Sequence, residues 1–251
     1  MRATLLAVAV AVSLWVASLG AHAAPPAPFV VAIDAGHGGS NLGAAVDGMF
    51  EKNVTLALAR GLRAALEDAP GVRVVMCREA DVLVPIRARS RCAAEAHAQL
   101  FVSLHLNATP AGVAPGSQRG FELYVLPPDD VAEDATVAVL SAPGAAGVWA
   151  GHAVHAAGER SLVAARALDR RLGDALGRAN ARGIRQTGAA LDVLRGTGVP
   201  GVLVEVGFLD HPEDRLRLTT PVGQGRVAAA LAQAVKDLVP AAPAAPAAAP
   251  R

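Results

Sequence analysis

Phe29-Val30-Val31-Ala32-Ile33-Asp34-Ala35-Gly36-His37-Gly38-Gly39 is the stretch whose reading decides the fold. A short apolar run ending in glycines reads as a buried strand handing over to a sharp turn, where the backbone can bring a side chain close to a ligand. Moving outward, four more runs read as strands: Val72–Met76, Leu100–Leu104, Phe121–Leu126 and Val202–Val206. Helical patterns lie between them. From Glu51 to Glu67, Val54, Leu58, Leu62 and Leu66 recur every four residues and form one apolar face. Further helices are predicted over Pro85–Ala98, Ser161–Arg178 and Val222–Leu238. Strands alternating with helices favour a single α/β domain with a mostly parallel sheet flanked by helices on both faces. His37 then falls just past the carboxyl end of the first strand, where open α/β sheets build their sites.

The rest of the chain narrows the possibilities. Its 251 residues suit one domain with a full core. Lys and Arg number 23 against 22 Asp and Glu, which leaves no field to hold a polyphosphate, so nucleic acid is not expected as a partner. Aromatic residues make up 3%, too few rings for a sugar- or base-stacking platform. Residues 1–23 read as a removable export signal: Met1 and Arg2, an apolar run from Leu5 to Leu19, then Ala21-His22-Ala23 in the form signal peptidases cut. No membrane contact is expected after its removal. The body spans residues 27–239, and residues 240–251 form a Pro/Ala tail expected to be disordered. Cys77 and Cys92 have two readings in an exported protein, a bridge or two buried thiols.

Polar residues gather on one predicted edge of the sheet. Glu51 opens a helix, His105 ends a strand in Ser103-Leu104-His105, and Glu205 sits within the apolar strand Val202–Val206. Two imidazoles and one carboxylate form the ligand set of an open catalytic zinc site, and His37, His105 and the glutamates Glu51 and Glu205 offer such groups. A second carboxylate outside the ligand set could take a proton from water and return it to a leaving amine. Singly, each histidine has an ordinary structural explanation, and Glu51 could simply favour its helix dipole. Glu205 is less ordinary, because a buried carboxylate without a partner is costly.

Four motifs in order, Val31-Ala32-Ile33-Asp34-Ala35-Gly36-His37-Gly38-Gly39, Glu51-Lys52-Asn53-Val54, Leu100 through Ala108, and Val202 through Leu209, resemble the zinc-dependent N-acetylmuramoyl-L-alanine amidases of the amidase type 3 family. The resemblance spans nearly the whole body. It implies a six-stranded, mostly parallel sheet and an exported hydrolase that cuts the amide between N-acetylmuramic acid and L-alanine in peptidoglycan. It further implies one Zn2+ per chain held by His37, Glu51 and His105, Glu205 as general base and acid, and Asn107 in the substrate cleft. The periplasm is the expected location, with the extracellular medium or cell wall as alternatives.

Asn41, Leu106 and Asp192 depart from the family pattern; they remove no ligand and bear on substrate fit. Residues 127–160 read as a variable insertion between a strand and a helix, in the interval where some relatives carry a segment that covers the metal until an activator protein displaces it. Glu133, Asp134 and Glu159 are its candidate autoinhibitory ligands; the competing reading is a solvated loop. Arg87, Arg89 and Arg91 read as a solvated helix face, with a carboxylate clamp as the alternative, and His152 and His155 as a surface pair. Two other functions remain open at this level: another zinc peptidase or deacylase on the same residues, or a non-catalytic wall-binding protein of the same fold.

Overall fold

The computed structural model describes residues 27–127, 145–187 and 191–240. Residues 1–23, expected to be an export signal, almost all of the Pro/Ala tail, and Glu133 and Asp134 lie outside the described residues. In chain order the elements are β1 (Phe29–Ala35), β2 (Ala45–Val46), β3 (Met49–Phe50), α1 (Glu51–Leu66), β4 (Val72–Met76), α2 (Ile86–Glu95), β5 (Leu100–Asn107) and β6 (Phe121–Val125). There follow α3 (Ala145–Leu176), β7 (Ala181–Gln186), β8 (Gly201–Phe208), α4 (Pro212–Thr219) and α5 (Pro221–Leu238).

Six strands form one sheet in the order β4-β1-β5-β8-β6-β7, and β2 pairs with β3 in a small hairpin. β4, β1, β5 and β8 are parallel, whereas β6 runs antiparallel to β8 and parallel to β7. The expected mostly parallel sheet is therefore present, with a reversal between β8 and β6.

Alternation along the strands separates two faces. One presents Val31, Ile33, Val102, Leu104, Leu123, Val202 and Val204 to Leu58, Leu62 and Leu66 of α1, Leu168 and Leu172 of α3, and Leu231 and Val235 of α5, all in one buried cluster. Burying each such side chain is worth roughly 1.5–3 kcal/mol. The other face carries Ala32, Phe101 and Leu203, which meet Ala93 of α2 and Leu191, Val193 and Leu194. That second layer is thin, and the strands carry their polar residues there.

Three expectations need correction. α3 begins at Ala145, well before the expected Ser161, so part of the supposed insertion is helix. β7 and α4 were not expected: Ala181–Gln186 is a polar strand at the sheet's edge, and α4 starts where His211 caps the helix by accepting from the Asp214 N–H. α2 stops at Glu95, short of Ala98, and His97 adopts a positive φ of 49° beyond it. The open question about the cysteines is settled as a Cys77–Cys92 disulfide, tying the chain just after β4 to α2.

Candidate metal centre

His37, Glu51 and His105 come from three different elements and converge. One ligand atom from each lies within 4.8 Å of the others. His37 follows β1 in the glycine turn, Glu51 is the first residue of α1, and His105 is near the end of β5. Glu51 Oε1 lies 3.0 Å from His37 Nε2 and 3.1 Å from His105 Nδ1, and it also accepts the Leu106 N–H at 2.8 Å. Its other oxygen accepts the Ala44 N–H at 2.8 Å. Burial alone would raise this carboxyl, but the hydrogen bonds and charge of the two imidazoles bring it down to about 2.

Glycine is required at two positions around these groups. A Cβ on Gly36 would sit 2.5 Å from the His105 ring, and one on Gly43 would sit 2.5 Å from Glu51 Oε2, at a φ of +67°. Close approach of backbone to ligand side chains is thus written into the sequence at both places.

The His37 ring is fixed from behind. Asn41 Oδ1 accepts the Gly43 N–H at 3.2 Å, which identifies that atom as the amide oxygen, and the same oxygen lies 2.9 Å from His37 Nδ1. Nδ1 therefore carries a proton, and Nε2 is the ring nitrogen left to face Glu51 and any ion held there. Metal-ligating histidines are oriented in this way.

Glu205 pairs in register with His105, on the next strand. Its Oε2 is buried and has no hydrogen-bond partner among the described residues. Burial, followed by the charges of Glu51 and Glu122, pushes its carboxyl up to about 8. An orphaned buried carboxyl oxygen on the residue paired with His105, and within the field of Glu51, is what a divalent cation would compensate. The donor set fits zinc: two nitrogens and one oxygen.

A neighbouring carboxylate was missed from sequence. Glu122 lies directly opposite Glu205, accepts from Asn107 Nδ2 at 2.7 Å and from the Tyr124 hydroxyl at 3.0 Å, and has Arg182 at 3.5 Å. Burial and the adjacent Glu122 push the Tyr124 hydroxyl up to about 12. The signal that singled out Glu205, an acid inside an apolar strand, is equally present in Phe121-Glu122-Leu123. Asn107 thus follows His105 by two residues at the end of β5 and is held by Glu122.

A cavity of about 320 Å³ opens next to the imidazoles, walled by Val84, Ile86, Val193 and Leu203. Asn41 and Asp192 line it as well, so two of the three departures from the family pattern do face the site. Leu106 does not; it packs into the core cluster on the other face. Glu159 is exposed on α3, two residues before Ser161, whose hydroxyl accepts the N–H of Gly201 at the start of β8, the end away from Glu205. It is not among the clustered ligand residues. Arg87 and Arg91 are exposed as expected, but Arg89 is buried and paired with the chain's own Asp34 at 2.6 Å, so the solvated-face reading fails there.

Comparison with known proteins identifies relatives of the whole body. A family model described as N-acetylmuramoyl-L-alanine amidase matches residues 31–237. An endolysin of Bacillus phage SPP1 is 29% identical over 213 residues, covering 84% of this chain and 66% of the endolysin. The N-acetylmuramoyl-L-alanine amidase AmiC of Escherichia coli is 28% identical over 229 residues, covering 83% and 52%. A probable amidase AmiB of Haemophilus influenzae is 30% identical over 221 residues, covering 80% and 50%. The chain thus spans about half the length of the last two and just under two thirds of the first. Among solved structures, the amidase AmiC2 of Nostoc punctiforme superposes with a TM-score of 0.64 at 27% identity, covering 83% of this chain and 96% of that one. An amidase from Clostridium difficile 630 shares the fold with a TM-score of 0.65 at 23% identity, covering 84% and 96%.

Proposed function

The chain belongs to the amidase type 3 family of N-acetylmuramoyl-L-alanine amidases, and on that premise we propose that it hydrolyses the amide joining N-acetylmuramic acid to L-alanine in peptidoglycan. In this reading His37 Nε2, His105 Nδ1 and a Glu51 oxygen hold one zinc ion, and Glu205 is the general base and acid. Zinc in a three-ligand site supplies a Lewis acid that polarises a carbonyl and draws the pKa of water toward neutrality.

The residues of the chain do the rest. Asn41 keeps the His37 proton on Nδ1, away from the ligating nitrogen. Glu205 accepts a proton from the attacking water and returns it to the alanine nitrogen as the amide breaks. Burial and its acidic neighbours raise its pKa to about 8, and a divalent charge held by the three ligands would lower it again, bringing both protonation states within reach near neutral pH. Asn107, anchored on Glu122, borders the path of the substrate, and Val84, Ile86, Val193 and Leu203 give that path apolar walls that exclude water.

The observation that carries this reading is the convergence of His37, Glu51 and His105 beside a buried carboxyl oxygen with no partner. The reading includes export. Residues 1–23 act as a removable signal, and the body at residues 27–239 works in the periplasm or at the cell wall. Among the described residues no helix is long and apolar enough to cross a membrane.

Purified protein incubated with peptidoglycan is expected to release new alanine amino termini and peptide-free muramic acid, and to stop when a chelator removes the metal. New reducing sugars, another cleaved amide, or undiminished activity after chelation would each refute the assignment. Sequencing the amino terminus of the same exported sample checks the loss of residues 1–23.

A further inference from the structure

Two of the three ligands in this reading stand on regular elements, Glu51 on α1 and His105 on β5, whereas His37 stands on a turn. Its φ is 63°, the left-handed region that a residue with a Cβ enters at a cost. Something must hold the turn there.

Two buried guanidinium groups meet that requirement. Arg78 and Arg89 are 2% and 5% exposed. Between them they donate to the carbonyls of three successive residues. Ala35 O accepts from Arg78 Nε at 2.8 Å and from Arg89 Nη1 at 2.6 Å. Gly36 O accepts from Arg78 Nη2 at 2.9 Å, and His37 O accepts from Arg89 Nη2. Arg89 is itself oriented by Asp34, whose other carboxylate oxygen accepts the Ser103 hydroxyl at 2.8 Å. Arg78 also donates to the carbonyls of Lys52 in α1 and Ala80. A single-point ammonium could not span these acceptors, whereas a planar guanidinium offers several donors in fixed directions.

Burying two guanidinium groups is costly, since each leaves water for an interior where one carboxylate partly compensates. The cost falls at the one ligand that no helix or strand supports. We propose that Arg78 and Arg89 are positioning residues for His37, a cradle that turns the carbonyls of residues 35–37 away from the metal and keeps the imidazole aimed at Glu51. The inference rests on the metal reading above and adds that Arg89 acts on affinity for the metal through His37.

The test is zinc affinity of the intact chain, measured by competition with a chromophoric chelator, together with the visible spectrum of the cobalt-substituted protein. Arg89→Lys keeps a positive charge for Asp34 and loses the fork to Ala35 and His37. It is expected to bind zinc about 10- to 100-fold more weakly and to change the cobalt spectrum. Adding His37→Ala to it should cause no loss beyond that of His37→Ala by itself, because the arginine acts through that ligand. Folded Arg89→Lys with affinity within about threefold of the parent, or losses that simply multiply in the double variant, would overturn the proposal. If Arg89→Lys does not fold, the paired change Asp34→Asn/Arg89→Met leaves no buried charge alone and is read the same way. A parent protein that fails to bind zinc would instead remove the metal reading on which this one stands.

Discussion

On the face of the sheet that carries α1, α3 and α5, the strands contribute Val31, Ile33, Val102, Leu104, Val202 and Val204. On the other face neighbouring positions of the same strands contribute Asp34, Ser103, His105 and Glu205, beneath α2 and the stretch from Leu191 to Val199. Each strand thus serves stability and chemistry at once, one residue apart. Thin cover is what makes the second face useful, because a cleft needs a floor that no helix has claimed.

The sharpest way to break the contrast is to alter one face and watch the other. Glu205→Gln should lower kcat by about 10²- to 10⁴-fold while zinc binding and thermal stability stay close to the parent's. Chelator competition and a melting curve on the same sample check this. Near-parental turnover would remove Glu205 from the reaction.

The reciprocal change is Leu168→Ala, at a fully buried position of α3 on the opposite face. It should cost about 2–5 kcal/mol of stability, read by denaturant unfolding, and leave kcat of the folded fraction within about twofold, because the two faces are independent layers. A large fall in kcat at constant metal content would mean that the faces are coupled.

The smallest expected effect is a pH dependence in metal-free protein. Burial, then Glu51 and Glu122, raise Glu205 from 4.5 to about 8. Between those values the folded chain keeps a proton that the unfolded chain has lost. The stability linked to this group is present below pH 4.5 and disappears as pH rises through 8. Glu51, lowered from 4.5 to about 2, works in the opposite sense, contributing above 4.5 and losing that contribution as pH falls through 2. Glu205→Gln should therefore raise the Tm of metal-free protein in alkaline buffer and leave it unchanged in acid, by differential scanning calorimetry. An equal Tm difference at both ends would show that burial of the charge is not the cause.

The apolar face was legible because its pattern is local: Val54, Leu58, Leu62 and Leu66 announce a helix, and the central strands announce themselves by composition. Glu205 was legible for the opposite reason, as an acid out of place among valines. Other features needed tertiary context. Ala181-Arg182-Gly183-Ile184-Arg185-Gln186 carries no strand pattern, since an edge strand has one neighbour and half-buried residues. The early part of α3 is rich in Ala and Gly and shows no apolar stripe. Arg78 and Arg89 carry charges that composition assigns to the surface, and only the arrangement of carbonyls in the turn after β1 explains their burial. The disulfide could not be chosen over two thiols until β4 and α2 had been brought together.

The reversal of strand direction at β6 has a consequence near the ligands. Since Glu122 lies opposite Glu205 and Tyr124 opposite Leu203, the chain enters β6 beside Glu205 and departs from the far rim of the sheet. Two acids carried by oppositely directed strands therefore share one edge of the sheet, while β6 leaves at the rim from which β8 starts.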